Sequence, residues 1–388
     1  MMVAASWANA DLRGFRVSVV VLDVRPMLNL DRSKNDTSVT LDLLRAVAAQ
    51  MVCVGHAINF FIGGWPSDLP YMQNVGVLLF FILSGFLITH TLVKRSERPD
   101  YRFTQFLIDR FARIYSGLIP ALVLIIVVDW MVIYLTSDPY VTRYFNLKTL
   151  VANLFMLESY RGALENHLRW SAFGSASPLW TLAIEWHIYL FVGAVFFILK
   201  APRSFPYLLP IALFFGQTAS HFLIGSYQSD GVGRGLFSLW LGGAALYVAT
   251  RNFTIPRWPA IAMAISGFAI FVATHPAHAE YSLAGYPLLL AAMIGVIAAT
   301  QTSHLLTGDR TNKAISFFAN YSFTLYLVHH TVMYAIWVIW SERGLLMFSA
   351  AVLLANLVAM GLAAVGEKHH HQVARFLSGR RLVKEHLQ

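Results

Sequence analysis

One cysteine, Cys53, stands among 388 residues. An intrachain disulfide and a cysteine-based metal cluster are therefore excluded. Cys53 lies inside an apolar run and reads as a small packing residue. Charge is scarce as well. Only 13% of the residues are Asp, Glu, Lys or Arg, against roughly 25% in soluble domains. That excludes an ordinary soluble enzyme. What the chain has is apolar surface: 57% of it is hydrophobic, with 28 Phe and 10 Trp. It reads as a polytopic membrane protein. The net charge of +9 then belongs to loop lysines and arginines obeying the positive-inside rule rather than to a nucleic-acid footprint. A secretory signal is also missing from the first 38 residues. The apolar run at 17–22 is too short, charged residues follow it, and no small-residue cleavage pattern appears. Met27 is an alternative start. Residues 1–38 are read as a cytosolic tail that need not be ordered.

Apolar runs of spanning length fall at 40–62, 72–93, 114–136, 180–199, 206–224, 236–250, 259–274, 284–303, 317–340 and 345–366. The expected fold is all-α: ten transmembrane helices in a single domain over 39–366, then a basic tail over 367–388. With both termini cytoplasmic, the inner segments carry 22 Lys and Arg and the outer loops 6, which is the asymmetry the orientation rule requires. Segment 146–159 is too short and polar for a span. It reads as a re-entrant or interfacial helix in the long loop 137–179. Nothing soluble is expected in the short stretch after the last span, whose basic residues suit anionic lipid head groups.

The chemistry centres on 41–61, LDLLRAVAAQMVCVGHAINFF. Arg45 and His56 are eleven positions apart. At about 100° per residue that is within about 20° of three full turns, so both face one way, roughly 16 Å apart along the axis. A charged and a titratable group on one stripe of a membrane helix are costly against lipid. They must face a protein interior. Arg110 and Arg113 begin the third span on one face and suit phosphate oxygens; orientation and lipid anchoring are the blander reading. Glu185 in PLWTLAIEWHIYLF is an ionisable group inside a span, at the depth of His56, and suits acid–base work or a partnership with an imidazole. A structural hydrogen bond is equally open. His187 points away from Glu185. Asp129 is another buried acid and is given no role beyond pairing with an arginine. His329 and His330 are mid-span, and at least one must face inwards. Gly76, Ser84 and Gly85 read as small residues for close helix packing.

These pieces resemble the membrane-bound acyltransferase family 3, over most of the chain and in the family's order. LDLLRAVAAQMVCVGH is similar to its opening arginine–histidine motif, GVLLFFILSGFLI to its second-helix signature, and FLIDRFARIYSGLIP to its basic motif. PLWTLAIEWHIYLF is similar to the Trp–Glu–Tyr motif and YSFTLYLVHH to the late Ser-x-x-x-Tyr-x-x-His motif. Ser116 and Leu43 depart from the family, which often has proline and glycine there. The resemblance implies transfer of an acyl group, usually acetyl, from cytosolic acyl-CoA to a hydroxyl of an extracytoplasmic or lipid-linked carbohydrate, in a bacterial inner membrane. His56 is then the catalytic base, with an acyl-histidine as the covalent variant. Arg45 is its motif partner, Glu185 orients it, and Arg45, Arg110 and Arg113 hold the coenzyme A phosphates. Tyr189, Tyr326 and His329 are expected at the substrate. No metal and no nucleic acid are implied. The rival reading is a secondary transporter or flippase of lipid-linked sugar, against which no matching pair of broken half-helices is seen. A non-catalytic sensor leaves the arginines and His56 unexplained.

Overall fold

A computed structural model describes residues 5–12, 15–22, 30, 35–158, 160–225, 233–301, 303–306 and 308–379. Its helices are α1 (Thr37–Ala57), α2 (Met72–Ser96), α3 (Phe103–Thr136), α4 (Pro139–Tyr144), α5 (Leu147–Leu154), α6 (Glu165–Leu168), α7 (Leu179–Lys200), α8 (Phe205–Ile224), α9 (Leu236–Asn252), α10 (Arg257–Thr274), α11 (Tyr286–Thr300), α12 (Asp309–Ala319), α13 (Ser322–Ile339), α14 (Leu345–Val365) and α15 (His370–Leu377). Eight helices among the described residues are long and apolar enough to span a bilayer. Two further expected spans, 236–250 and 284–303, are helical but shorter, as α9 and α11. The protein is a multi-pass membrane protein. Outside the helices, Ala5–Leu12 pairs antiparallel with Phe15–Leu22, so the tail 1–38 contains a hairpin. The rest of that tail before Asn35, apart from Leu30, lies outside the described residues.

Helix α1 packs on α2, α12 and α13, and α13 packs on α3 and α14. Helices α2 and α13 are the most enclosed spans. The outward side of α3 carries exposed Val123, Val127, Trp130 and Tyr134, spaced as one helical stripe. The stripe of α1 that carries Arg45 and His56 faces the other way, along α13.

Three expected boundaries are corrected. The loop 94–113 is mostly helix, because α3 starts at Phe103 and runs for 34 residues. Arg110 and Arg113 therefore sit inside a helix, held at fixed spacing. The expected span 317–340 is two helices. The Ser322 hydroxyl bonds the Ala319 carbonyl at 2.8 Å, and the Tyr321 hydroxyl donates to Asn356 Oδ1 at 3.0 Å. Local bonding of this kind competes with helix continuation. The tail after the last span begins as helix, His370–Leu377, and this α15 packs on α3. The reason lies in α3. Pro120 has no N–H, so the Ser116 carbonyl loses its helical partner. Gly366 packs against that carbonyl, where a Cβ would collide with it. The next residue, Glu367, is thereby brought to α3. The short helix expected within 146–159 is present as α5.

Candidate functional site

His56 sits one residue before the end of α1, where the helix widens into a π turn over Ile58–Ile62. Such turns reorient the side chains that follow. Phe60 comes to rest 5.2 Å from the His330 ring. His56 itself meets two imidazoles of α13. Its ring centroid is 5.2 Å from His329 and 5.4 Å from His330, the latter edge-on at 87°. His56 points into the bundle and not into lipid. His329 is fully buried. Its Nδ1–H donates to the carbonyls of Tyr326 and Leu325 at 2.8 and 3.0 Å. That leaves Nε2 as a bare lone pair, sealed from solvent and without a partner among the described residues. His330 Nδ1–H donates to the Ser175 carbonyl at 2.7 Å. Two imidazoles with fixed tautomers thus flank a third. No His, Cys, Asp or Glu group among the described residues is arranged to hold a metal ion.

Glu185 does not pair with His56. It accepts a hydrogen bond from Tyr189, one turn along α7. The Tyr189 hydroxyl also meets Ser84 Oγ at 2.8 Å, and Trp240 Nε1 donates to that Ser84 oxygen at 3.0 Å. Ser84 is therefore part of a polar chain and more than a small packing residue. Glu185 and Tyr326 line one small cavity of about 40 Å³ together with Phe323 and Phe80. The Tyr326 hydroxyl donates to the Pro178 carbonyl at 2.8 Å, and its ring lies 6.0 Å from His329. Glu185 thus shares a cavity with Tyr326, the neighbour of His329, and has no bond to His56 among the described residues. His187 is turned to the Met156 carbonyl, 2.9 Å away. Asp129 pairs with Ser175, not with an arginine.

The arginines gather at the end of the bundle where α2 gives way to α3. Arg45 is bonded to Asp42, one turn earlier on α1, and does not reach His56. Arg113 Nη2 lies 3.0 Å from Glu367 Oε1, whose other oxygen accepts from Thr324 N and Oγ1 at 3.1 and 2.8 Å. Arg45, Arg113, Lys368, His370 and Asn320 line a polar cavity of about 340 Å³. Arg110 Nε, like Arg45 Nε, is sealed from solvent with no partner among the described residues. The Phe323 ring lies under the Arg113 guanidinium at 5.6 Å and also lines the Glu185 cavity. It stands between the basic mouth and the interior. Glu367, Asp42 and His330 were not assigned roles from sequence. The contacts of Glu367 and His330 are tertiary, and no spacing signals them; Asp42 pairs with Arg45 at i,i+3 on α1, a spacing that does signal it. Glu158, 1% exposed in the loop before α7, was missed too. Its Oε2 has no partner among the described residues, and burial pushes its carboxyl from 4.5 up to about 8.

A family model described as an acyltransferase domain matches residues 39–365. The peptidoglycan O-acetyltransferase OatA of Listeria monocytogenes is 29% identical over 321 residues, 76% of this chain and 49% of that protein. The O-acetyl transferase of Shigella phage Sf6 is 27% identical over 227 residues, 56% of this chain and 63% of that protein. Nodulation protein 10 of Rhizobium leguminosarum is 30% identical over 164 residues, 38% of this chain and 41% of that protein. The chain spans less than two thirds of the length of each of these relatives. No solved structure matches the chain. The chain belongs to the acyltransferase 3 family, with the matched domain running from the first turn of α1 to the last residue of α14.

Proposed function

We propose that the protein transfers an acyl group, most simply acetyl, from cytosolic acyl-CoA to a hydroxyl of a carbohydrate on the far side of a bacterial inner membrane or carried on a lipid, both termini being cytoplasmic. One observation carries the reading: a stripe of α1 joins a mouth of arginines to a histidine flanked by two tautomer-locked imidazoles. Two relatives, both named as O-acetyl transferases, support the reaction class.

Each end of the stripe has its own role. Arg110, with a buried unpaired donor, and Arg113 and Arg45 beside it, hold the donor's phosphates by charge-assisted bonds. The donor's acyl end passes Phe323 towards α13. His56 has no hydrogen bond to protein among the described residues, so a ring nitrogen is free to take the proton of the attacking hydroxyl. That oxygen bonds to the thioester carbon, the carbon–sulfur bond breaks, and the proton leaves with the sulfur. His329, with its Nε2 bare, is placed to share the proton held by His56. Tyr326 and Tyr189, the latter fixed by Glu185, line the way to the acceptor.

The test is binding and transfer in one preparation. Purified protein should bind acetyl-CoA. With radiolabelled acetyl-CoA, membranes should incorporate label into the glycan fraction only when the protein is present. Lack of acetyl-CoA binding overturns the reading and favours a transporter.

A further inference from the structure

We propose that Asp129 is a positioning residue for the reaction, acting through Ser175 and His330 on His56. The inference rests on the acyl-transfer reading. Asp129 is fully buried in α3. Its Oδ2 accepts the Ser175 N–H at 2.9 Å and its Oδ1 accepts the Ser175 hydroxyl at 2.6 Å. One carboxylate therefore takes both donors of a single loop residue, which fixes the backbone there. Gly174, just before it, has φ +54°, and a Cβ would strike Asp129 Oδ2. Only glycine suits that backbone and that approach.

The same serine reaches α13 at two adjacent positions. Its Oγ lies 2.8 Å from Thr331 Oγ1. The Ser175 hydroxyl is thus within donating distance of both Asp129 Oδ1 and Thr331 Oγ1. The Ser175 carbonyl accepts the His330 Nδ1–H at 2.7 Å. The clasp thus sets both the orientation and the tautomer of His330, and His330 stands edge-on to His56. No packing need explains it. A buried carboxylate is costly, and an apolar residue fills space at less expense of desolvation. Its retention fits a geometric role, that of keeping an imidazole wall against the ring that must move a proton.

The experiment is a double-mutant cycle, read as initial rates of label transfer from radiolabelled acetyl-CoA to the glycans of membrane vesicles. Asp129→Asn is nearly isosteric, yet its amide accepts only one of the two Ser175 donors. Asp129→Asn and His330→Gln should each lower kcat about tenfold, less than the roughly 10²- to 10⁴-fold that the acid–base group itself supplies, with KM for acetyl-CoA unchanged. The double variant should be no slower than the slower single variant, since the two changes break one connection. Ser175→Ala should lose less than Asp129→Asn, because the N–H bond survives, and Ser175→Thr should restore the rate. Multiplying losses in the double variant, a wild-type kcat for Asp129→Asn, or a loss confined to KM overturns the proposal. If Asp129→Asn does not fold, Ser175→Ala decides: a lowered kcat with unchanged KM supports the clasp, and a wild-type kcat overturns it. Absence of transfer by the wild-type protein is a separate result, and it fells the acyl-transfer reading instead.

Discussion

The two ends of the α1 stripe hold their nitrogen groups in opposite ways. At the mouth, Arg45, Arg113 and Arg95 each meet a carboxylate, from Asp42, Glu367 and Asp109. In the interior, His329 and His330 are tied by backbone carbonyls, and His56 has no carboxylate bonded to it among the described residues. Under the proposed acyl transfer, the difference follows from what each end must do. Partly solvated cations can be balanced by acids and still share an incoming phosphate. Imidazoles tied to neutral carbonyls keep a bare nitrogen that can gain a proton. Arg110 breaks the pattern at the mouth, since no ion pair holds it among the described residues, and Asp129 breaks it inside, bonded to Ser175 and to no base among the described residues.

The largest effect should come from the interior. His56→Ala should lower transfer by about 10²- to 10⁴-fold, the usual worth of a general base, and leave acetyl-CoA binding as in wild type. Equal loss of binding would erase the contrast between the two ends. At the mouth, Arg110→Ala should weaken acetyl-CoA binding about 10- to 100-fold, as loss of a charged hydrogen bond worth about 1.5–3 kcal/mol implies. Arg45→Ala should cost less, because Asp42 already shares that guanidinium. Isothermal titration of the two variants ranks them, and an Arg45 effect larger than the Arg110 effect would reverse the assignment.

Glu367→Gln probes the same contrast from the acid side. It leaves Arg113 half-paired and loosens the turn that docks α15 on α3. Stability should fall by about 1–2 kcal/mol, a charged hydrogen bond discounted for the partial exposure of Arg113. Donor binding should hold or tighten, since a negative charge has left the mouth. Thermal melts and titration read the two separately, and weaker binding would show that Glu367 positions the donor. Glu158 tests the interior through pH. Its folded carboxyl is raised from 4.5 to about 8, so the folded state keeps a proton the unfolded chain releases. The stability tied to that proton is full below about pH 4.5 and is lost as pH climbs towards 8. Glu158→Gln should therefore melt above wild type at pH 8 and close to it at pH 5. An unchanged gap at the two values would mean that the carboxyl is solvated after all.

Much of this was legible in the chain, and the misses share a cause. Every expected span contains a helix, because twenty apolar residues announce a span by themselves. The shared face of Arg45 and His56 followed from helical angle alone, and α13 does lie along it. Glu185 was expected beside His56 and yet bonds Tyr189, since the lateral placement of α7 comes from packing. The break at Asn320–Tyr321 escaped for a similar reason. It depends on Asn356, 36 residues beyond Asn320, and an apolar run reads straight through it. His330 and Ser175 are joined across 155 positions, and nothing local marks either one.

Donor and acceptor should reach one imidazole from opposite ends of the bundle, and sidedness is the sharpest probe of that arrangement. Label transfer should be measured in sealed vesicles of both orientations, with labelled acetyl-CoA supplied only outside and His56→Ala as the blank. Transfer in inside-out vesicles, where the arginine mouth faces the medium, and none in right-side-out vesicles is the expected result. Equal transfer in both, or transfer in right-side-out vesicles alone, would contradict it.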